Sequence, residues 1–191
     1  MTVLLRKAAE LSQGLPGWKG PVRQVIRTGS ASLTGINQTH RPTHMQIRFT
    51  KGTGKYDAMQ ITRGDSIETI ACPKQGIIPH DMVHFAVEST LQKRGFLSRV
   101  REGEPASFQM GAEPESDGVE RLVEVIQADA WSGGNTSPAE VLDLYQVTCV
   151  ARECDALPIV ADDIVAIRRH IRALDLQWQS LAAGQSIELV I

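Results

Sequence analysis

The sequence has few aromatic residues and almost no net charge. Aromatic residues make up 5% of its 191 residues, and 20 Lys and Arg are balanced by 22 Asp and Glu, which leaves a formal charge of −2. A nucleic-acid-binding protein usually carries a basic excess or a dense basic patch. The densest basic group here, Arg168, Arg169 and Arg172, is interleaved with apolar residues in a pattern typical of a solvated helix face. We therefore expect no nucleic-acid partner.

Cysteine is scarce, and the apolar residues never form a membrane-length run. The three cysteines, Cys72, Cys149 and Cys154, are odd in number and form no C-x-x-C pair, which predicts reduced thiols rather than a disulfide framework. No stretch reaches the roughly 18 apolar residues of a membrane-spanning helix. Arg6 and Lys7 interrupt the first apolar run before it reaches the length of a signal peptide. These features predict a soluble, cytoplasmic protein that binds no membrane.

The sequence does contain a clear change of hydrophobic period. Residues 3–13 are predicted to form a short helix, and the small residues at 29–37 show no clear period, so residues 1–43 are predicted to be an N-terminal arm or extension. From His44 onward, apolar and polar residues alternate, and Gly-containing turns separate three predicted antiparallel strands near residues 45–50, 56–62 and 66–71. The period-two pattern therefore predicts a sheet at the start of a main domain that covers residues 44–191.

Helical patterns follow the strands. They predict helices at residues 79–94, 117–129, 137–150 and 160–175, then a candidate C-terminal strand at residues 186–191. An acidic segment at residues 102–115 is predicted to be a loop that is too polar for the core. The order of elements predicts an α+β fold, in which a small antiparallel sheet of three strands plus the C-terminal strand packs against about four helices.

The segment GIIPHDMVHFAVE, residues 76–88, contains the main candidate site. His80 and His84 are four residues apart, so on a helix they lie about 6 Å apart along the axis, which lets two imidazoles converge on one metal ion. The positive end of the helix favours neutral rings, the form that binds metal. We predict His80 and His84 as ligands of Zn²⁺ or another divalent ion, in a stripe at the edge of the core.

Two carboxylates accompany these histidines. H-D-M-V-H resembles, over five residues, the H-E-x-x-H helix of zinc peptidases, with Asp81 where that family has its general-base Glu. The resemblance implies a catalytic role for Asp81, although its side chain is one methylene shorter and is predicted to point away from the core. Glu88 is about 12 Å from His80 along the axis, so we expect it to act as a base or to orient His84 rather than to bind metal. The third ligand is then sought among His40, His44 and the carboxylates of residues 102–115.

A wider resemblance extends over the main domain. The motif of residues 76–88, the following Gly95-Phe96, and the closing W-x-x-L-x-x-G-x-x-I-x-L of residues 178–189 resemble a group of uncharacterised bacterial proteins. The similarity covers residues 44–191 and implies a complete domain without implying an activity.

Two functions stay open at this level. The first is a divalent-metal-binding protein, for which a metal-dependent hydrolase is one activity that the His80/His84 helix would support. The second is a non-enzymatic interaction or self-assembly module. In it the His, Asp and Glu cluster is structural, and the helix face with Met82 and Phe85 binds another protein or a second copy. The sequence does not decide between them and names no substrate.

Overall fold

Alternating apolar and polar residues form the predicted antiparallel sheet. The computed structural model describes residues 25–27, 44–107 and 113–191. Within these residues, the sheet has five antiparallel strands in the order β1-β4-β3-β2-β5. They are β1 (Val25–Arg27), β2 (Met45–Thr50), β3 (Tyr56–Arg63), β4 (Ser66–Pro73) and β5 (Ser186–Val190). The three predicted strands and the C-terminal strand are confirmed.

The short strand β1 lies in the predicted N-terminal extension, residues 1–43. Its backbone pairs with β4, with Val25 opposite Ile70. The other residues of that segment lie outside the described ranges, and the domain boundary at residue 44 stays a prediction. At the other edge of the sheet, β5 pairs with β2, where Ile187 lies opposite Phe49.

Five helices complete the described part of the chain, which confirms the α+β class. They are α1 (His80–Leu91), α2 (Phe96–Arg101), α3 (Pro114–Trp131), α4 (Pro138–Ala151) and α5 (Ala161–Ser180). The sequence predicted four of them and missed α2. None of these helices is both long and apolar enough to cross a bilayer.

Helix α1 lies at the centre of the helical layer. It packs against α2, α3 and α5, and its residues Met82, Val83, Ala86 and Val87 share one hydrophobic core with the buried strand residues. Every residue from Asp81 to Glu88 is buried. The prediction that this stripe lies at the edge of the core is therefore wrong for His84 and Glu88. Neighbouring helices pack over the side of α1 that carries these two residues.

The same packing corrects the interaction face predicted around Met82 and Phe85. Met82 is fully buried, and Phe85 is 8% exposed with its ring 5.5 Å from the ring of His170 on α5. Neither residue offers a surface to a partner. In the basic group of α5, Arg169 and Arg172 are exposed as predicted, whereas Arg168 is partly buried and forms an ion pair of 2.7 Å with the buried Asp129 of α3.

Helix boundaries differ from the predicted ones in several places, and the largest difference is in α5, which extends to Ser180 rather than to residue 175. Helix α1 ends at Leu91 rather than at residue 94, because Gln92 adopts a left-handed conformation with φ of 53°. Helix α3 begins at Pro114 rather than at residue 117, because the Glu113 side chain caps it by accepting a hydrogen bond from the Ser116 amide. The predicted acidic loop is correspondingly shorter, and its Ala106 is fully buried.

Candidate metal centre

Two histidines of α1 and one glutamate of α3 form the candidate site. His80 begins α1 and His84 follows one turn later, so both side chains leave the same side of the helix. Helix α3 packs against α1 and brings Glu120 to them. One ligand atom from each residue lies within 4.8 Å of the other two. Over the described ranges, this is the one group of His, Cys, Asp or Glu side chains close enough to share a metal ion.

His84 lies between two carboxylates. Its Nε2 is 3.2 Å from Glu120 Oε2, and its Nδ1 is 3.5 Å from Glu88 Oε1. Two ligand atoms on tetrahedral zinc, with bonds of about 2.0–2.1 Å, are separated by about 3.3 Å. The His84 and Glu120 atoms are therefore already at the separation of two ligands of one ion.

The hydrogen bonding of His84 supports the same interpretation. The residue is fully buried, and neither ring nitrogen is aligned for a hydrogen bond, although carboxylate oxygens lie nearby. A buried polar atom without a partner costs free energy, and such atoms in a folded protein call for an explanation. Coordination of Nε2 to an ion shared with Glu120 would give this nitrogen a well-aligned partner.

Two glutamine side chains, Gln127 on α3 and Gln75 after β4, orient the ring of His80 through hydrogen bonds. Its ring packs edge-on against His84 with 4.8 Å between centroids, and its Nδ1 lies 2.7 Å from Gln127 Oε1. The Gln127 amide nitrogen donates to Gln75 Oε1, so the Gln127 oxygen faces His80. Nδ1 therefore carries the proton and donates a hydrogen bond to Gln127 Oε1, which leaves the lone pair on Nε2. Outer hydrogen bonds of this kind orient metal-binding histidines.

Removing this orienting hydrogen bond is expected to weaken metal binding. We expect Gln127→Leu to lower the affinity for Zn²⁺ by about tenfold, because His80 loses both its fixed ring orientation and its fixed tautomer. Gln127→Glu, which keeps an acceptor opposite Nδ1, should preserve the affinity. Competition with a chromophoric chelator measures both variants. Equal affinities for the wild type and Gln127→Leu would exclude this role.

The charges of the three side chains depend on one another. Burial alone would lower the pKa of His84, but Glu120, with a contribution from Glu88, raises it to about 10. Burial would raise the pKa of Glu120, but His84 outweighs that effect and lowers it below its usual range. Burial and repulsion by His84 lower the pKa of His80. In the metal-free protein at neutral pH, His84 and Glu120 therefore form a buried ion pair beside a neutral His80.

The structure places Asp81 on the sheet side of α1. The residue is buried, and its Oδ2 accepts a hydrogen bond from the Cys72 thiol of β4 at 3.7 Å. The expectation that it points away from the core is therefore wrong, because α1 is covered on that side by the sheet. Asp81 is not in the group of three ligands, and its role as a catalytic base stays a prediction.

Glu88 connects the site to α2. Its carboxylate accepts hydrogen bonds from the backbone amides of Gly95, Leu97 and Ser98 and from the Ser98 hydroxyl, at 2.8–3.2 Å. It thereby caps α2 from outside that helix. The approach is close, since a Cβ on Gly95 would lie 2.7 Å from Glu88 Cδ. Glu88 Oε1 lies 3.5 Å from His84 Nδ1 without the alignment of a hydrogen bond, and the roles of Glu88 as a base or as the group that orients His84 both stay predictions.

Glu120, the third member of the group, lies outside the segments in which a third ligand was predicted. His44 is exposed at the start of β2, and His40 lies outside the described residues. In the acidic segment, Glu102 and Glu113 bind Arg94, and Glu115 binds Lys93. Glu120 takes the place next to the histidines instead.

A sequence signal for Glu120 does exist on α3. Glu120, Glu124 and Gln127 are spaced i, i+4 and i+7, which places three polar side chains on one face of a helix. The residues between them, among them Leu122, Val123 and Ile126, are buried. A polar stripe on a helix that is otherwise packed into the core indicates that the stripe meets polar groups of a neighbouring element.

Two cavities in the described part of the chain lie apart from these three side chains. One, of about 210 Å³, lies between α3 and α5 and is lined by Ile78, Asp129 and Arg168. The other, of about 340 Å³, lies near α2 and the C-terminus and is lined by Glu88 and Arg94. Neither is lined by His80, His84 or Glu120, so neither cavity marks a substrate cleft over the three ligands.

Comparison with known proteins identifies no relative. No family model, no curated protein and no solved structure matches the chain significantly.

Proposed function

We propose that this chain binds a divalent metal ion, with Zn²⁺ the best candidate, through His80 Nε2, His84 Nε2 and Glu120 Oε2. The observation that carries the proposal is His84, a fully buried imidazole without an aligned hydrogen bond, whose Nε2 is 3.2 Å from Glu120 and whose ring contacts His80. Two histidines and one glutamate are a donor set that Zn²⁺ accepts, and Ca²⁺ and Mg²⁺ instead prefer oxygen ligands.

The donor set also bears on activity. Three protein ligands leave one tetrahedral position for water or a substrate atom, whereas structural zinc sites are closed by four protein ligands. His80 and Glu120 are only partly buried, so their side of the site would be the one open to water or a substrate. On this ground we extend the proposal to metal-dependent hydrolysis, with Glu88 orienting His84.

Metal analysis of protein purified without a histidine tag tests the proposal. We expect about one equivalent of a transition metal in the wild type and less than about 0.2 equivalents in the double variant His80→Ala with His84→Ala. His44→Ala is the matched control, because His44 is exposed and lies outside the group of three. Wild-type protein that stays metal-free after incubation with Zn²⁺ would overturn the proposal.

The same assay separates the metal site from a structural ion pair. If His84 and Glu120 only pair with each other, Glu120→Gln should reduce stability but leave any bound metal unchanged. If they share an ion, Glu120→Gln should lower metal affinity, because the neutral amide is a weaker ligand than the carboxylate.

Metal binding is also expected to release a proton at neutral pH. The pKa of His84 in the metal-free protein is raised to about 10, so His84 is protonated at pH 7 and must lose that proton to bind an ion. One released proton makes the apparent affinity rise by about tenfold per pH unit between pH 6 and 8. Isothermal titration calorimetry in buffers of different ionisation enthalpy measures the release. A value near zero would contradict the protonated state of His84.

A further inference from the structure

The C-terminal end of α4 brings two cysteines together. Glu153 has a left-handed backbone with φ of 52°. The Glu153 amide donates to the Val150 carbonyl at 3.2 Å, and the Cys154 amide donates to the Cys149 carbonyl at 3.1 Å. This pair of hydrogen bonds defines a Schellman motif, in which the residue after the left-handed position folds back against the third-last helical residue. In this motif those two residues are Cys154 and Cys149.

The two cysteines adjoin the same hydrophobic core. Cys149 is buried in the core, and Cys154 is partly buried and packs against the same core. Both cysteines are free. The segment beyond is tied to α4, because the Leu157 amide donates to the Tyr145 hydroxyl at 2.8 Å. The backbone therefore holds Cys154 against Cys149 without a covalent bond.

We propose that Cys149 and Cys154 are a site of oxidative modification, where a peroxide converts the two thiols into an intramolecular disulfide. The motif already satisfies the main requirement for such a bond, which is two cysteines whose backbones are held close together. Cys72 is buried on β4, where its thiol donates to Asp81 Oδ2 at 3.7 Å, and it takes no part.

The order of the chemical steps follows from exposure. Cys154 is the more accessible thiol, and burial raises the pKa of the Cys149 thiol to about 12. Cys154 sulfur therefore attacks the peroxide first, its O–O bond breaks, and Cys154 becomes a sulfenic acid as one water is released. Cys149 sulfur then attacks the Cys154 sulfur and loses its proton, and a second water leaves. Two thiols and one hydrogen peroxide thus give one disulfide and two waters.

The position of Arg152 makes the bond easy to detect. Trypsin cleaves after Arg152, between the two cysteines, and yields peptides 122–152 and 153–168. After treatment of the full chain with hydrogen peroxide and alkylation of the remaining thiols, we expect these peptides to appear as one linked species that a reductant separates. Cys72 should be alkylated. Peptides that stay separate while Cys154 proceeds to sulfinic acid would overturn the proposal.

Two sets of variants test the mechanism. Cys154→Ser should abolish the linked species and leave Cys149 reduced, whereas Cys72→Ser should leave the linked species unchanged. Glu153→Gly keeps the left-handed position and should preserve the rate of linkage, but Glu153→Val disfavours that conformation and should slow linkage by about tenfold. Equal rates in the last two variants, or peroxide oxidation of Cys149 in Cys154→Ser, would contradict the mechanism.

Discussion

Saturation with Zn²⁺ is expected to raise the free energy of unfolding by about 4 kcal/mol when the free ion exceeds its Kd by about 1,000-fold. The unfolded chain does not hold His80, His84 and Glu120 together, so the free energy of binding adds to the stability of the fold. For a chain of 191 residues, each kcal/mol changes Tm by about 2–4 °C, so Tm should increase by about 8–16 °C. Scanning calorimetry with Zn²⁺ and with a chelator measures this increase.

The zinc-dependent increase in Tm, rather than Tm itself, is the quantity to compare between variants. His84→Ala removes a side chain that is fully buried, and the cavity this leaves lowers stability with or without metal. We expect the zinc-dependent increase to disappear in His84→Ala and to persist in His44→Ala, whose histidine is exposed. An equal increase in both variants would place the ion elsewhere on the protein.

Most of the sheet could be predicted because its signal is local. Met45, Ile47 and Phe49 alternate with polar residues, and alternate side chains of a strand face opposite sides of a sheet. The structure buries all three on the inner face. The pairing of β5 with β2 joins segments more than 130 residues apart. Strand composition indicated that β5 exists but not which strand it pairs with.

Only the part of the candidate site that lies on a single helix was predicted. The spacing of His80 and His84 follows from helical geometry, so these two residues were found. Glu120 and Gln127 belong to α3, and their approach depends on how α3 packs against α1. A single sequence does not contain that information in any local pattern. The burial of His84 was missed for the same reason, because three other helices cover α1.

Helix α2 was missed because the group that caps it belongs to a different helix. The residues that begin it, Gly95-Phe96-Leu97-Ser98, contain no side chain placed to cap their own helix. The cap is the carboxylate of Glu88, which belongs to α1. The helix predicted at residues 79–94 stops just before Gly95, and no local signal showed that Gly95 immediately precedes a second helix.

Replacing Glu88 with alanine is expected to cost about 3–5 kcal/mol of stability. The substitution leaves the buried amides of Gly95, Leu97 and Ser98 without their acceptor, and each unsatisfied buried group costs about 1–3 kcal/mol, partly relieved where water enters. Glu88→Gln keeps one acceptor oxygen and should cost about half as much. Urea unfolding measures both variants, and hydrogen exchange at residues 95–98 locates the effect.

A second glutamate provides the matched control for this prediction. Glu115 also accepts a hydrogen bond from a backbone amide, that of Arg94, and pairs with Lys93, but it is partly exposed. Water can replace its carboxylate, so Glu115→Ala should cost less than about 1 kcal/mol.

Measuring both stability and metal content separates the two roles of Glu88. If Glu88 acts mainly as a cap, Glu88→Gln should lose stability but keep its metal, whereas a Glu88→Gln variant of unchanged stability would refute the cap.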